Sequence, residues 1–219
     1  MQQWHWNQLE MYKLIVLHVS ALLAQTILGF NFDSPTDVER PGFLKVSRPF
    51  TDDEQMVMLA HHNLARGNIS NQVNMQCLSD VNEDLVNYAQ DVADTCIHMT
   101  PRGCPYGLGF FRIQGVRTGY LDYVMRPFEF GLLHYNYLQN HCNRAEYCDL
   151  FRQVFWHKAD EIGCGRTTCG TQTFIVCAYT HKQNPNAVPF IQYPEKGRCL
   201  FCPKKKSTCD YNDLCCEAY

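Results

Sequence analysis

Thirteen cysteines in 219 residues constrain this chain more than any other feature. They do not form tandem Cys-x-x-Cys pairs with histidine partners, so the pattern argues against a zinc ribbon. So many thiols fit an oxidising compartment, where they would be paired in disulfides. Five of them crowd together near the C-terminus, at Cys199, Cys202, Cys209, Cys215 and Cys216. That short stretch cannot build a core of its own, so disulfides must hold it.

An apolar run near the N-terminus, Leu14–Leu28, indicates export. It has about 15 residues, fewer than the roughly 20 that cross a bilayer, and is typical of the apolar part of a signal peptide. We therefore predict a signal peptide over residues 1–29, with Met1 or Met11 as the initiator, and a secreted, extracellular protein. No later segment is predicted to span a membrane.

The charge pattern excludes one class of partner. The formal net charge is −3, and no basic stripe runs through the chain, so a nucleic-acid partner is not expected. The one basic cluster, Lys204–Lys206, is short, and we interpret it as a solvated loop. The length allows one core of ordinary size with short appendages.

Two helices are predicted in the first half of the domain. Thr51 and Glu54 have capping-box spacing, the apolar Val57, Ala60 and Leu64 follow at helical spacing, and Gly67 ends the helix. A second helix is predicted over about Asp80 to Cys96, with Asp80 and Glu83 as another capping box.

The second half mixes helices with a strand pair. A third helix is predicted from Pro127 through Leu138, and a short fourth one over Phe151 to His157. Glu161 to Thr168 and Thr173 to Thr180 are rich in β-forming residues and predict paired strands. Helices precede the strand pair without regular alternation, so the sequence favours an α+β fold with an antiparallel sheet.

Two further motifs are a glycosylation sequon and a pair of adjacent histidines. Asn68 opens an Asn-Ile-Ser glycosylation sequon in a predicted loop. His61 and His62 point about 100° apart on a helix, so they are poorly placed to share a metal, and His62 is expected to pack or hydrogen-bond.

An aromatic, glycine-rich stretch follows the turn-rich segment Pro101 to Gly109. Loop and core packing is one interpretation, and an apolar ligand groove is the other, which is implied by the family resemblance described below. The candidate ligand-binding residues are Tyr106, Phe110, Phe111, Tyr120 and Tyr123.

The order of several motifs resembles a known family. Leu59 to Arg66 contains a His-Asn-x-x-Arg signature, and Tyr88 to His98 is similar to the helix that follows it. Gln153 to Gly165 and Phe174 to Asn184 are similar to the family's two strand signatures, and Gly197 to Pro203 resembles a hinge. The chain thus resembles the CAP superfamily of cysteine-rich secretory, antigen 5 and pathogenesis-related proteins, especially the venom-allergen-like proteins of helminths.

The resemblance implies an architecture. It is a three-layer α-β-α sandwich with a small antiparallel sheet, followed by a short disulfide-rich hinge. The implied organisation is an extended leader over residues 30–50, a CAP domain over 51–190 and a cysteine-rich tail over 191–219.

The resemblance also implies five disulfides: Cys96–Cys169, Cys164–Cys177, Cys142–Cys148, Cys199–Cys209 and Cys202–Cys215. The remaining Cys77 and Cys104 are open to pair with each other. That pairing would leave Cys216 odd, available to exchange with Cys215 or to link two chains.

Many CAP proteins carry a cleft of two histidines and two glutamates, a set suited to a divalent metal or to hydrolysis. By resemblance only His98 matches. The other positions fall on Leu150, near Gly107 and near Gly131, although Glu129 is two residues from the last. We therefore predict no metal, no cofactor and no catalytic residues.

These observations lead to one main hypothesis and one alternative. The main hypothesis is a secreted, non-catalytic CAP-domain protein that binds an extracellular protein partner or a lipid such as a sterol or a fatty acid. It would be a monomer or a dimer linked through Cys216. The alternative is a weak metal-dependent hydrolase that uses the CAP cleft.

Overall fold

The fold was analysed in a computed structural model, which describes residues 44–69, 71–114, 130–131, 133–193, 197–210 and 212–217. The helices are α1 (Asp52–Gly67), α2 (Glu83–Asp94), α3 (Ala145–Val154) and a 3-10 turn (Lys204–Lys206). The strands are β1 (Lys45–Ser47), β2 (Asp80–Val81), β3 (Gly107–Gln114), β4 (Tyr135–Asn136), β5 (His141–Cys142), β6 (Glu161–Cys169), β7 (Gln172–Tyr179), β8 (Thr208–Cys209) and β9 (Cys215–Cys216). The predicted signal peptide lies outside the described residues.

The main sheet has the strand order β1-β6-β7-β3, with every neighbour antiparallel. The short β2 pairs in parallel with the start of β6. The central pair β6–β7 is the strand pair expected from the sequence, and its register sets Cys164 opposite Cys177. The predicted α+β class is confirmed, and β1 brings the end of the leader into the sheet.

Helices cover both faces of this sheet. On one face, α2 packs so closely on β6 that a Cβ at Gly163 or Gly165 would collide with the α2 backbone. On the other face, α1 and α3 enclose the larger core with side chains such as Met58, Phe151 and Ile175. The three-layer α-β-α sandwich is therefore confirmed.

Helix α1 begins as predicted, because Thr51 and Glu54 form a complete capping box. Its buried face, however, carries polar residues, among them Gln55, His62 and Arg66. The apolar residues at helical spacing face outward instead, with Val57 41% and Leu64 42% exposed. The apolar spacing therefore predicted the helix correctly but not its buried face. The polar side chains are buried because they form hydrogen bonds in the protein interior.

Helix α2 is shorter than predicted. Asp80 does not cap it, because Asp80–Val81 is strand β2, and the cap is Asn82, whose side chain accepts from the Asp84 and Leu85 amides. The fourth predicted helix exists as α3, but it begins at Ala145 rather than at Phe151.

The third predicted helix is partly wrong. Its start at Pro127 lies outside the described residues, and residues 130–131 and 133–134 are helical. Tyr135–Asn136 is strand β4, paired with β5, and Leu138 lies in a turn with 94% exposure. The apolar spacing that suggested a longer helix comes from a hairpin.

Strand β3 was not expected, because its glycines suggested turns. Gly107 faces the Gln153 amide, and Gly109 lies against Leu150, whose Cδ1 would be 3.1 Å from an added Cβ. These glycines therefore mark the close approach of α3 to the sheet and not a loop.

The cysteine-rich tail is joined to the domain core. Leu214 and Cys215 are fully buried, and the Cys215 amide donates to the Met75 carbonyl. Lys206 is only 4% exposed and donates to the Cys77 carbonyl at 3.1 Å. The interpretation of Lys204–Lys206 as a wholly solvated loop is therefore wrong for its last residue.

All five disulfides implied by the resemblance are present, namely Cys96–Cys169, Cys164–Cys177, Cys142–Cys148, Cys199–Cys209 and Cys202–Cys215. The pairing of Cys77 with Cys104 is wrong, because Cys77 bonds to Cys216 and Cys104 is free. Cys216 is therefore not the odd cysteine that would link two chains. The tail's hydrogen bonds beside Cys77 explain why the partner comes from there.

The disulfide map predicts one thiol per chain. Protein unfolded in denaturant without reductant should release one equivalent with Ellman's reagent, and Cys104→Ser should release none. More than one reactive thiol in the parent protein would contradict this disulfide map, and so would any thiol that remains in Cys104→Ser.

Candidate functional site

Three of the four positions that align with the family's cleft gather where α3 crosses β3. Leu150 lies against Gly109, and Gly131 lies against the Phe151 ring. Gly107 faces Gln153 so closely that a Cβ there would overlap its amide. A carboxylate at position 107 would have no room unless Gln153 moved.

Gln153 occupies this space with a fixed role. Its side chain is 2% exposed, its Nε2 donates to the His181 carbonyl at 3.0 Å, and its Oε1 accepts from the Gln183 amide at 2.9 Å. Both ends of the amide are thus used to hold the chain after β7. At this position the neutral amide of Gln153 therefore forms structural hydrogen bonds.

His98, the one matching cleft residue, lies on the opposite face of the sheet. Its ring lies 5.1 Å from the Phe110 ring and 6.3 Å from the Phe174 ring, measured between centroids. Phe110 packs with the α2 cluster, whereas Leu150 packs with the other core. Burial, and then the charge of Arg112, lowers the pKa of His98. Glu129 lies outside the described residues.

His62 is a fully buried residue of α1. Its Nδ1 lies 2.7 Å from the Met58 carbonyl and therefore carries the proton, and its Nε2 lies 2.9 Å from the Tyr179 hydroxyl, which donates to it. Burial lowers the pKa of His62 to about 4 and raises that of Tyr179. The expectation that His62 packs and hydrogen-bonds is confirmed, and its neighbour His61 is only half-buried.

This buried histidine predicts acid lability. An unfolded histidine titrates near pH 6.5, so between about pH 6.5 and 4 the unfolded chain binds a proton that the folded chain does not. The contribution of His62 to the free energy of unfolding is fully present above pH 6.5. It falls by about 3 kcal/mol as the pH is lowered to about 4. Urea unfolding across this range should show that loss. His62→Gln should flatten the dependence, while the exposed control His141→Gln should not.

Arg66 lies one turn further along α1 and is fully buried. Its guanidinium makes five hydrogen bonds to four backbone carbonyls, those of Gln76, Val154, Trp156 and Ala159. Burial lowers its pKa to about 10, so it remains charged at neutral pH. Arg66 thereby ties α1 to the end of α3 and to the loop before β6.

The aromatic candidates do not form one surface. Phe111 is 6% exposed in the larger core, whereas Phe110 points to the α2 face because side chains alternate along β3. Tyr106 is half-buried and packs on Tyr88 with 5.0 Å between ring centroids. Tyr120 and Tyr123 lie outside the described residues. Of the five predicted ligand-binding residues, the described structure brings only Tyr106 and Phe110 to the same face.

Asn68 is exposed at the C-terminal end of α1, where its amide closes the helix. Glycosylation stays a prediction that the exposed side chain permits. Secreted protein should lose mass on treatment with a peptide N-glycosidase, and Asn68→Gln should already have the lower mass. An unchanged mass of the parent protein would overturn the prediction.

The sequence model of the cysteine-rich secretory protein family, CAP, matches residues 59–179. This chain belongs to the CAP family. The match begins within α1 and runs to the end of β7, so it covers most of the three-layer part of the structure. Human peptidase inhibitor 16 is 28% identical over 174 residues, which cover 73% of this chain and 37% of that protein. The CAP chain thus spans only about a third of the length of this relative.

Solved structures share the CAP fold. Venom allergen-like protein 4 of Schistosoma mansoni has 23% identity and a TM-score of 0.54, covering 66% of this chain and 98% of that one. The hookworm platelet inhibitor has 17% identity and a TM-score of 0.60, covering 78% and 94%. At these identities the likeness concerns the fold alone. The described residues include no helix with the length and apolar character of a membrane span.

Proposed function

We propose that this protein is a secreted CAP-domain protein that acts by binding an extracellular partner and not by catalysis. The observation that supports this most is Gln153, which fills the space where a family carboxylate at position 107 would stand. A metal or acid–base site needs its groups within reach of one another. Here the sheet separates His98 from Leu150 and Gly107.

Secretion is part of the proposal and rests on two supports. Six disulfides fit an oxidising compartment, and the apolar run Leu14–Leu28 fits a signal peptide. The name of the human relative is that of a peptidase inhibitor, which agrees with a role in binding.

A zinc titration tests the absence of the family's metal site. Calorimetry on the purified protein should give no saturable zinc binding at micromolar concentration. A stoichiometric zinc site that disappears in His98→Ala would contradict the proposal, because it would mean that the family's cleft is rebuilt around this histidine.

A sterol or a fatty acid is the ligand class that the aromatic residues favour. Tyr106 and Phe110 are half-buried on the α2 face, where an apolar molecule could cover them. Labelled cholesterol or palmitate should bind saturably, and Phe110→Ala should weaken that binding more than Phe201→Ala, which truncates a 48% exposed aromatic of the tail. If neither lipid binds, the lipid class is excluded and a protein partner remains.

A further inference from the structure

A cleft lies between the N-terminal ends of α1 and α2, away from the family's cleft positions. Its volume is about 410 Å³, which is within the usual range of small-molecule sites, roughly 300–1,000 Å³. The lining residues are Phe50, Asp52, Gln55, Met56, Val81, Glu83, Val86 and Asn87.

The cleft has an apolar part, and one of its polar walls is held in place. Phe50 is 6% exposed, and Val81 and Val86 are half-buried, so they provide a floor for an apolar group. Gln55 is held in place because its amide donates to the Cys164 carbonyl at 2.6 Å and accepts from the Cys164 amide at 3.1 Å. The wall formed by Gln55 therefore exists before any ligand arrives.

The rim of the cleft is negatively charged. Asp52 and Glu83 lie in the first turns of two different helices, both are exposed, and among the described residues neither makes an ion pair. Arg166 lies over the Phe50 ring, and its guanidinium is paired with Glu54 at 3.1 Å. Asp52 and Glu83 thus contribute two negative charges to the lining of the cleft.

We propose that this cleft binds a small organic amine, in which an ammonium group faces Asp52 and Glu83 while an aromatic or branched alkyl body lies against Phe50, Met56 and Val86. Opposite charge selects the ammonium, and the apolar floor selects the body. This site is separate from the proposed function, since it shares no residue with the family's cleft or with the aromatic candidates.

Phenethylamine is the probe, with 2-phenylethanol as its neutral analogue of similar shape. The amine should bind saturably in an NMR titration that shifts the methyl signals of Met56, Val81 and Val86. The alcohol should bind at least about tenfold more weakly, because it lacks the charge, and added salt should weaken only the amine.

Charge-neutralising variants locate the site. Glu83→Gln and Asp52→Asn should each weaken phenethylamine binding about two- to fivefold, which corresponds to the usual strength of one exposed charge pair. Asp84→Asn is the matched control, since Asp84 is an exposed first-turn carboxylate of α2 that does not line the cleft. The proposal is overturned by no saturable binding up to about 10 mM, by equal binding of amine and alcohol, or by equal loss in Asp84→Asn. A failure here would leave the zinc and lipid results untouched, so the two proposals are judged separately.

Discussion

Replacing Arg66 by methionine should lower the free energy of unfolding by about 4 kcal/mol, the largest effect expected of a single side chain in this protein. The substitution keeps much of the side-chain volume but removes all five hydrogen bonds. Four buried backbone carbonyls would then lose a donor, and each such loss costs about 1–3 kcal/mol when water cannot replace it. Urea unfolding at neutral pH measures the difference.

Two further variants separate charge from geometry. Arg66→Lys keeps the positive charge but has three donors on one nitrogen, so it should be intermediate in stability. Arg102→Met removes an exposed arginine and should change the free energy of unfolding by less than about 0.5 kcal/mol. If Arg66→Met also changes the free energy of unfolding by less than about 0.5 kcal/mol, the guanidinium does not hold α1 to α3.

Removing the Cys77–Cys216 disulfide should have the second large effect. The bond closes a loop with a sequence separation of 139 residues and ties the tail to the domain. On the chain-entropy model its loss, in the double variant Cys77→Ser with Cys216→Ser, costs about 5 kcal/mol. Denaturant unfolding without reductant measures this, and the tail should become sensitive to proteases first.

The Cys142–Cys148 bond provides the matched comparison. Its separation is only 6 residues, so the double variant Cys142→Ser with Cys148→Ser should lose roughly 2 kcal/mol on the same model. Equal losses in the two double variants would contradict the loop-length argument. An unchanged stability without Cys77 and Cys216 would contradict the pairing itself.

The sequence carried more information about the scaffold than about the site. The capping box at Thr51 and the β-rich segment before Tyr179 were readable because they depend on local preferences and spacing. Strand β3 could not be predicted, because Gly107 and Gly109 are residue types typical of turns. Their role in the close packing of α3 is evident only in the tertiary structure. The Cys77–Cys216 bond joins segments that no local pattern relates.

Two other features of the site depended on tertiary structure. The polar face of α1 is the buried one, since His62 and Arg66 find partners on Tyr179 and on distant carbonyls. The separation of Phe110 from Phe111 follows from the alternation of a strand that the sequence did not predict. Resemblance located the aligned cleft positions, and only the packing showed that Gln153 fills the space at Gly107.

This CAP domain keeps the family's scaffold, and we propose that it lacks the chemistry of the family's cleft. The most direct test measures hydrolysis of a broad set of peptide and ester substrates by the purified protein, with added zinc and with a chelator. The rates should equal those of a buffer blank in both conditions. Turnover that appears with zinc, is abolished by the chelator and is reduced in His98→Ala would contradict the account.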